Sequence, residues 1–498
     1  MTTSDAPPQS RRALREQGRS TGPVPQQDAG AHPPGDAEPA PETSPVIVSN
    51  REGRRALAWL DDDTVTALPA PGDLAGTQHP YAVVTPDLLA RRPRRSPLRA
   101  GVIVPLLAVL GATGAYAATT LLWPLHAVAP EVREIALQDL GAPASALTWP
   151  AEGSAAVGVA GISTTAASGA EAAPIASISK LVTVLMILDE LPLAVGEQGP
   201  SYTFTARDRT TYYSYLDNDE SALNVPVGGS LTEYQMLQGI LIGSAGNYTD
   251  RLASTVWPND RVFAVAARAW LTRHNLPGIT LVEPTGIDPA NAADPASLIT
   301  LARLALANPV VAEIVRTPSV ELPGAGLVTN TNDLLTDPAV VGLKTGTLDG
   351  AYNLLAAKEV TIADTPVRVY ATVLGQPTDE ARDGETARLL NDVATEAAVA
   401  QILPAGSLTG VVTTKWGAAV NIVTDADASV ILWNGASGTV TTSIALGDAR
   451  AANDAVGEVR VKGPLNATTT GLHLTADIPD PDPWWRLTHP LELFGLVD

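Results

Sequence analysis

The chain has 498 residues, a formal net charge of −21 and no cysteine. Disulfides and thiolate metal sites are therefore excluded, and so large an acidic excess argues against nucleic-acid binding. The charge is unevenly placed: residues 1–99 hold 12 Arg and 12 acidic residues, so the remaining 20 basic and 41 acidic residues carry the whole excess.

Residues 1–46 are dense in Pro, Gly, Ala, Ser and charge. Such a segment cannot bury enough apolar surface to offset its ordering entropy, and residues 1–98 are expected to form a disordered cytoplasmic tail. Apolar islands at 56–60 and 81–84 offer a docking point for a cytoplasmic partner, or are incidental to a solvated tail. Residues 100–122 are an uncharged, mostly apolar run of 23. A helix of that length crosses ~30 Å of hydrocarbon. Arg91, Arg92, Arg94, Arg95 and Arg99 precede it, and no Lys or Arg follows until Arg133. The positive-inside rule predicts a single-pass membrane helix over 99–123, with the N-terminus cytoplasmic and everything after Trp123 outside. Ala115-Tyr116-Ala117 resembles a signal cleavage site, but the preceding tail is far longer than an ordinary signal n-region, so an uncleaved anchor is expected.

From 130 to 403 strand and helix patterns mix. Residues 155–161 and 162–165 read as short strands around a turn. Residues 177–191, 231–242, 296–307 and 378–403 carry helical apolar periodicity, and 367–374 is a β-branched strand. Without a strict βαβ repeat this is α+β, an antiparallel sheet flanked by helices. After Pro404 the texture turns to short alternating runs rich in Thr, Val and Gly, which predicts a small all-β domain over 404–498. The aromatic run 484–494 is expected to pack on the chain's own fold.

Three motifs stand in order within the mixed region: Ser177-Ile178-Ser179-Lys180, Ser244-Ala245-Gly246-Asn247 and Lys344-Thr345-Gly346-Thr347. A serine hydroxyl needs an adjacent base to act as a nucleophile. Lys180, one helical turn from Ser177, can supply it if its amine is neutral. Burial and a second cation both lower a lysine pKa, and Lys344 is the natural second cation. The chain holds only five Lys, two of them in these motifs, and Arg cannot take the role because it does not lose its proton. Lys344, Thr345 and Thr347 on a strand edge can hold a substrate carboxylate, and Gly346 lets the backbone approach closely. The backbone N–H groups of Ser177 and Thr347 then form an oxyanion hole. The six histidines have no metal-binding spacing, and no metal or cofactor is implied.

The motif set is that of serine enzymes with a lysine base, the penicillin-binding proteins and class A β-lactamases. Residues 174–181, 239–245, 283–291 and 341–347 resemble the D-alanyl-D-alanine carboxypeptidase family of low-molecular-weight penicillin-binding proteins. The resemblance covers about 150–400. It implies a β-lactamase/transpeptidase-like fold, followed by the small β domain. It also implies removal of the terminal D-Ala from peptidoglycan stem peptides, with β-lactams as inhibitors. It assigns Ser177, Lys180 and Ser244 to catalysis, and Asn247, Lys344, Thr345, Gly346 and Thr347 to substrate binding. The second motif departs from the family's Ser-x-Asn: one alignment sets Ser244-Ala245-Gly246 there and loses the amide, the other sets Ala245-Gly246-Asn247 and loses the hydroxyl, and the flank 248–253 favours Ser244 in the Ser place. Two other readings are a non-catalytic protein that binds wall peptide in envelope assembly, and a β-lactamase.

Overall fold

A computed structural model describes residues 100–497, so the expected tail over 1–98 lies outside the described residues. Helix α1 (Ala100–Leu122) contains Pro105 and no charged residue, and its apolar side chains are exposed. It is a helix long and apolar enough to cross a membrane.

The strands β1 (Ser154–Val159), β2 (Thr165–Ala167), β3 (Val340–Leu348), β4 (Ala351–Ile362) and β5 (Thr365–Gln376) form one antiparallel sheet. Their order is β3-β4-β5-β1-β2, which leaves β3 on the edge. The β3–β4 connection is the pair Asp349-Gly350, both at positive φ, as a two-residue hairpin turn requires. The expected strand at 367–374 is the middle of β5, whereas the second strand expected at 162–165 begins only at Thr165.

Helices cover both faces. Those that position the site are α2 (Ser179–Glu190), α3 (Ala206–Asp217), α4 (Glu233–Leu241), α5 (Gly246–Ala253), α6 (Pro295–Ala307) and α7 (Asp379–Ala397), and Asp260–Arg273 and Pro309–Val315 are helical as well. Caps explain their starts. Thr232 and Gln235 form a capping box on α4, Asp294 caps α6 with Pro295 in its first turn, and Thr378 caps α7. The helix expected to run to Leu403 stops at Ala397, because Gln401–Leu403 pairs instead with Ala428–Val430.

The sheet's period of two assigns its side chains to two cores. Leu355, Ala357, Tyr370 and Leu374 join one core with α2, α4 and α6. Leu354, Ala356, Ala371 and Val373 face Leu389, Leu390 and Val393 of α7 in the other. A further sheet of seven strands follows, running Glu131–Glu134, Leu408–Thr413, Ala419–Thr424, Ala467–Leu474, Ala455–Lys462, Ser437–Ile444, Leu140–Gly141. Two of its strands come from ahead of residue 150. Trp433 Nε1 donates to Glu396 at the end of α7 over 2.8 Å, tying this part to the first. Among the C-terminal aromatics, Phe494 meets Trp123 edge-on at 4.8 Å and Trp485 meets Trp416 at 5.8 Å, while Trp484 stays exposed.

Candidate active site

Ser177 lies not in α2 but in a 3₁₀ turn (Ala176–Ile178) leading into it. Ala176 has φ +48°, a left-handed conformation that costs a non-glycine residue energy and persists only where packing enforces it. Two glycines do the enforcing. A Cβ on Gly286 would lie 2.0 Å from the Ala176 carbonyl oxygen, and one on Gly346 would lie 2.7 Å from that of Ile175 and 3.1 Å from Ser177 N. The 283–291 loop and strand β3 thus close on the nucleophile's backbone from two sides. Asn353 of β4 adds a clamp, its Nδ2 donating to Pro174 O at 3.1 Å while its Oδ1 accepts from Gly375 N at 2.8 Å.

Lys180 Nζ donates to Ser177 Oγ at 2.8 Å and to Thr285 O at 2.6 Å, with the side chain 2% exposed. Burial disfavours its charged form and brings its pKa down to about 8, although the carboxylates of Glu283, Asp250 and Glu220 pull it upward. Lys344 is coupled to Lys180 through their like charges. The Lys344 ammonium is 1% exposed, and burial, then Lys180, then Arg382 hold its pKa well below the usual lysine range.

Glu283 organises the loop beneath Lys180. Its carboxylate accepts from Thr285 N, Thr285 Oγ1 and Gly286 N, each at 2.6 Å, and from Asn291 Nδ2 at 2.8 Å. Thr183 Oγ1 donates to Pro284 O at 2.7 Å, so α2 holds the loop through two of its side chains. On β3, Lys344 Nζ donates to Thr345 O at 3.1 Å, and the hydroxyls of Thr331 and Thr345 lie 2.5 Å apart. Thr345 is buried and Thr347 is exposed at the rim.

The second motif divides. Ser244 is 5% exposed, sits at φ +56° just before α5, and its hydroxyl makes no hydrogen bond among the described residues. Asn247 is engaged elsewhere. Its Oδ1 accepts from Leu223 N at 3.0 Å and its Nδ2 donates to Leu223 O at 2.8 Å, which ties α5 to the 221–224 loop. Each end of the amide keeps a second hydrogen-bonding position, one N–H and one lone pair.

Sequence reasoning missed three groups here. Glu283 was visible only as part of a resembling loop, and Tyr215 had no motif at all. Arg382 is 2% exposed, bonded through Nε to Asp383 at 2.8 Å and through Nη1 to Asp379, with Nη2 buried and unpaired. Its helix periodicity marked a face, but nothing in the sequence placed it beside Lys344.

Residues 164–378 match the family model of D-alanyl-D-alanine carboxypeptidase. The carboxypeptidase DacB2 of Mycobacterium tuberculosis is 29% identical over 187 residues, 36% of this chain; the chain covers 59% of that relative's length. Among solved structures, a D-alanyl-D-alanine carboxypeptidase from Mycobacterium tuberculosis H37Rv is 22% identical, with TM-score 0.42 over 50% of this chain and 94% of its own. Penicillin-binding protein 5 from Haemophilus influenzae is 18% identical, with TM-score 0.45 over 67% of this chain and 100% of its own. All three sequence motifs fall inside the matched segment.

Proposed function

We propose that the chain is a membrane-anchored serine D,D-carboxypeptidase acting on peptidoglycan stem peptides. One observation carries the reading: a buried lysine with its pKa lowered to about 8 stands 2.8 Å from a half-buried serine hydroxyl. Ser177 Oγ attacks the carbonyl carbon of the D-Ala–D-Ala peptide bond while its proton passes to Lys180. The backbone N–H groups of Ser177 and Thr347 receive the oxyanion. The C–N bond then breaks, the terminal D-Ala amine takes the proton, and an ester on Ser177 remains. Water hydrolyses that ester, restoring the hydroxyl. Ser244 completes the proton path, moving onto Lys180 when substrate arrives.

The substrate's terminal carboxylate lies against Thr345, Thr347 and Lys344, with the unpaired Nη2 of Arg382 behind them. Asn247 serves the fold of the 221–224 loop. In this reading 99–123 is the anchor, with the N-terminus cytoplasmic, 130–403 is the catalytic domain, and 404–498 is a β domain completed by strands from 131–141. The tail's apolar islands remain the place for a cytoplasmic partner.

A non-catalytic wall-peptide binder is the second reading, and Gly246 at the family's asparagine place favours it. Intact-mass measurement on the full chain in detergent, after incubation with a fluorescent penicillin, separates the two. A lasting adduct of one penicillin per chain, absent from Ser177→Ala, supports the enzyme. Folded protein without an adduct supports the binder, and rapid penicillin turnover would instead make the chain a β-lactamase.

A further inference from the structure

The structure fills the place that the second motif leaves empty. Position 246 is where the family's motif carries a side chain, and here it is glycine at the first turn of α5. A Cβ built on Gly246 would stand 2.5 Å from Cε1 and 3.1 Å from Cδ1 of Tyr215. No real Cβ tolerates that distance, so the aromatic ring already occupies the space. Tyr215 comes from α3 and is 7% exposed. Its hydroxyl donates to Asp250 Oδ2, on the same face of α5 one turn beyond Gly246. The ring therefore lies along α5 from the vacant position to a carboxylate whose charge acts on Lys180.

The surroundings hold this arrangement from both ends. Asp208 at the start of α3 pairs with Arg251 of α5 at 3.8 Å. After α3, Gly246 N donates to Ser221 O at 2.8 Å, and Tyr248 Oη donates to Asn224 O at 2.6 Å. The chain directly before α5 is Ser244 in its left-handed conformation. What packs on the first turn of α5 thus sets where Ser244 points.

Resting on the carboxypeptidase reading, we propose that Tyr215 is a positioning residue that takes over the structural place of the missing motif side chain. Through Gly246 and Asp250 it fixes the first turn of α5, and with it Ser244, for acylation of Ser177. Positions 215 and 246 then form an exchange pair, either a ring with glycine or a small residue with asparagine.

The test is a double-mutant cycle on the full chain in detergent, read by stopped-flow acylation with a fluorescent penicillin, by adduct stoichiometry and by thermal melting. Gly246→Asn and Tyr215→Ala are each expected to slow acylation, and Tyr215→Phe, which keeps the ring, recovers most of what Ala loses. The double variant Tyr215→Ala/Gly246→Asn is expected to acylate about tenfold faster than the product of the two single effects, the coupling of contacting residues. The loss falls on the acylation rate constant, not on penicillin affinity, with stoichiometry held at one per chain. Additive single effects, or Gly246→Asn faster than wild type, overturn the exchange. Melting temperatures that fall in step with stoichiometry, at an unchanged rate constant, reduce Tyr215 to a packing residue. A wild type that never acylates overturns the carboxypeptidase reading itself, whereas an active wild type with additive variants overturns only this inference.

Discussion

The sharpest test of the site is the pH dependence of acylation. Lys180 has to be neutral to accept the Ser177 proton. With its pKa brought from 10.5 to about 8, roughly a tenth of the molecules are ready at pH 7, against about 0.03% for an ordinary lysine, a gain of about 300-fold. The acylation rate constant is therefore expected to rise tenfold per pH unit below 8 and to level off above it. The perturbation is Glu283→Gln. Glu283 is the foremost group that favours the charged form of Lys180, so neutralising it lowers the lysine pKa and moves the rising limb toward acid. At pH 6.5 the variant then acylates faster than wild type, provided that the loop holds. The Thr285 and Gly286 amides donate to different oxygens of Glu283, so glutamine keeps an acceptor for only one of them, and melting is recorded alongside. Stopped-flow acylation of the full chain between pH 5.5 and 10 gives both limbs. A midpoint near 10.5 would refute the buried base. A limb that moves toward alkali in Glu283→Gln, with melting unchanged, would refute the electrostatic assignment.

Other outcomes follow from the same geometry. Lys180→Met is expected to abolish the adduct yet raise stability near pH 7 by about 1–3 kcal/mol, because a buried charge no longer has to be desolvated. The folded-state pKa lies below the unfolded value, so the burial cost is complete below pH 8 and fades as pH rises from 8 to 10.5; melting curves of the pair should converge over that window. Gly346→Ala drives a Cβ into Ile175 O and Ser177 N, and acylation should fall by roughly 10–100-fold, the usual penalty of about 1–3 kcal/mol for overpacking. A bound carboxylate favours the charged form of Lys344, whose pKa is depressed in the empty site, so calorimetry in buffers of differing ionisation enthalpy should record proton uptake on binding a D-Ala-terminated peptide. Arg382→Gln should raise the dissociation constant of that peptide about tenfold, the worth of one charge-assisted hydrogen bond, with little effect on an amidated version.

Where the sequence could be read, it was because one local rule decided the outcome. The β-branched run at 367–374 specifies the middle of β5 without help from elsewhere. The nucleophile turn was harder. Helical periodicity from Ile178 onward placed Ser177 in a helix, but the 3₁₀ turn and the left-handed Ala176 are imposed by Gly286 and Gly346, which arrive from more than 100 residues downstream. The end of α7 was misplaced for a similar reason, since Val399 to Leu403 is apolar enough for either state and its strand partner decides. The surroundings of the two lysines were also hidden, because three carboxylates act on Lys180 and a guanidinium on Lys344 that sequence cannot bring together.

The second motif shows what a linear pattern leaves out. Compared letter by letter, Gly246 is a loss, and the nearby Asn247 offers a shifted replacement. In space both positions already have neighbours. Asn247 is committed to Leu223, and the volume above Gly246 is occupied by a tyrosine from another helix. A Cβ at position 246 would stand 2.5 Å from the ring, so any larger residue there would push α3 from α5. The defect in the motif and the position of Tyr215 are thus one feature. On the proposed reading, acylation then depends on Ser244 and on what holds the first turn of α5.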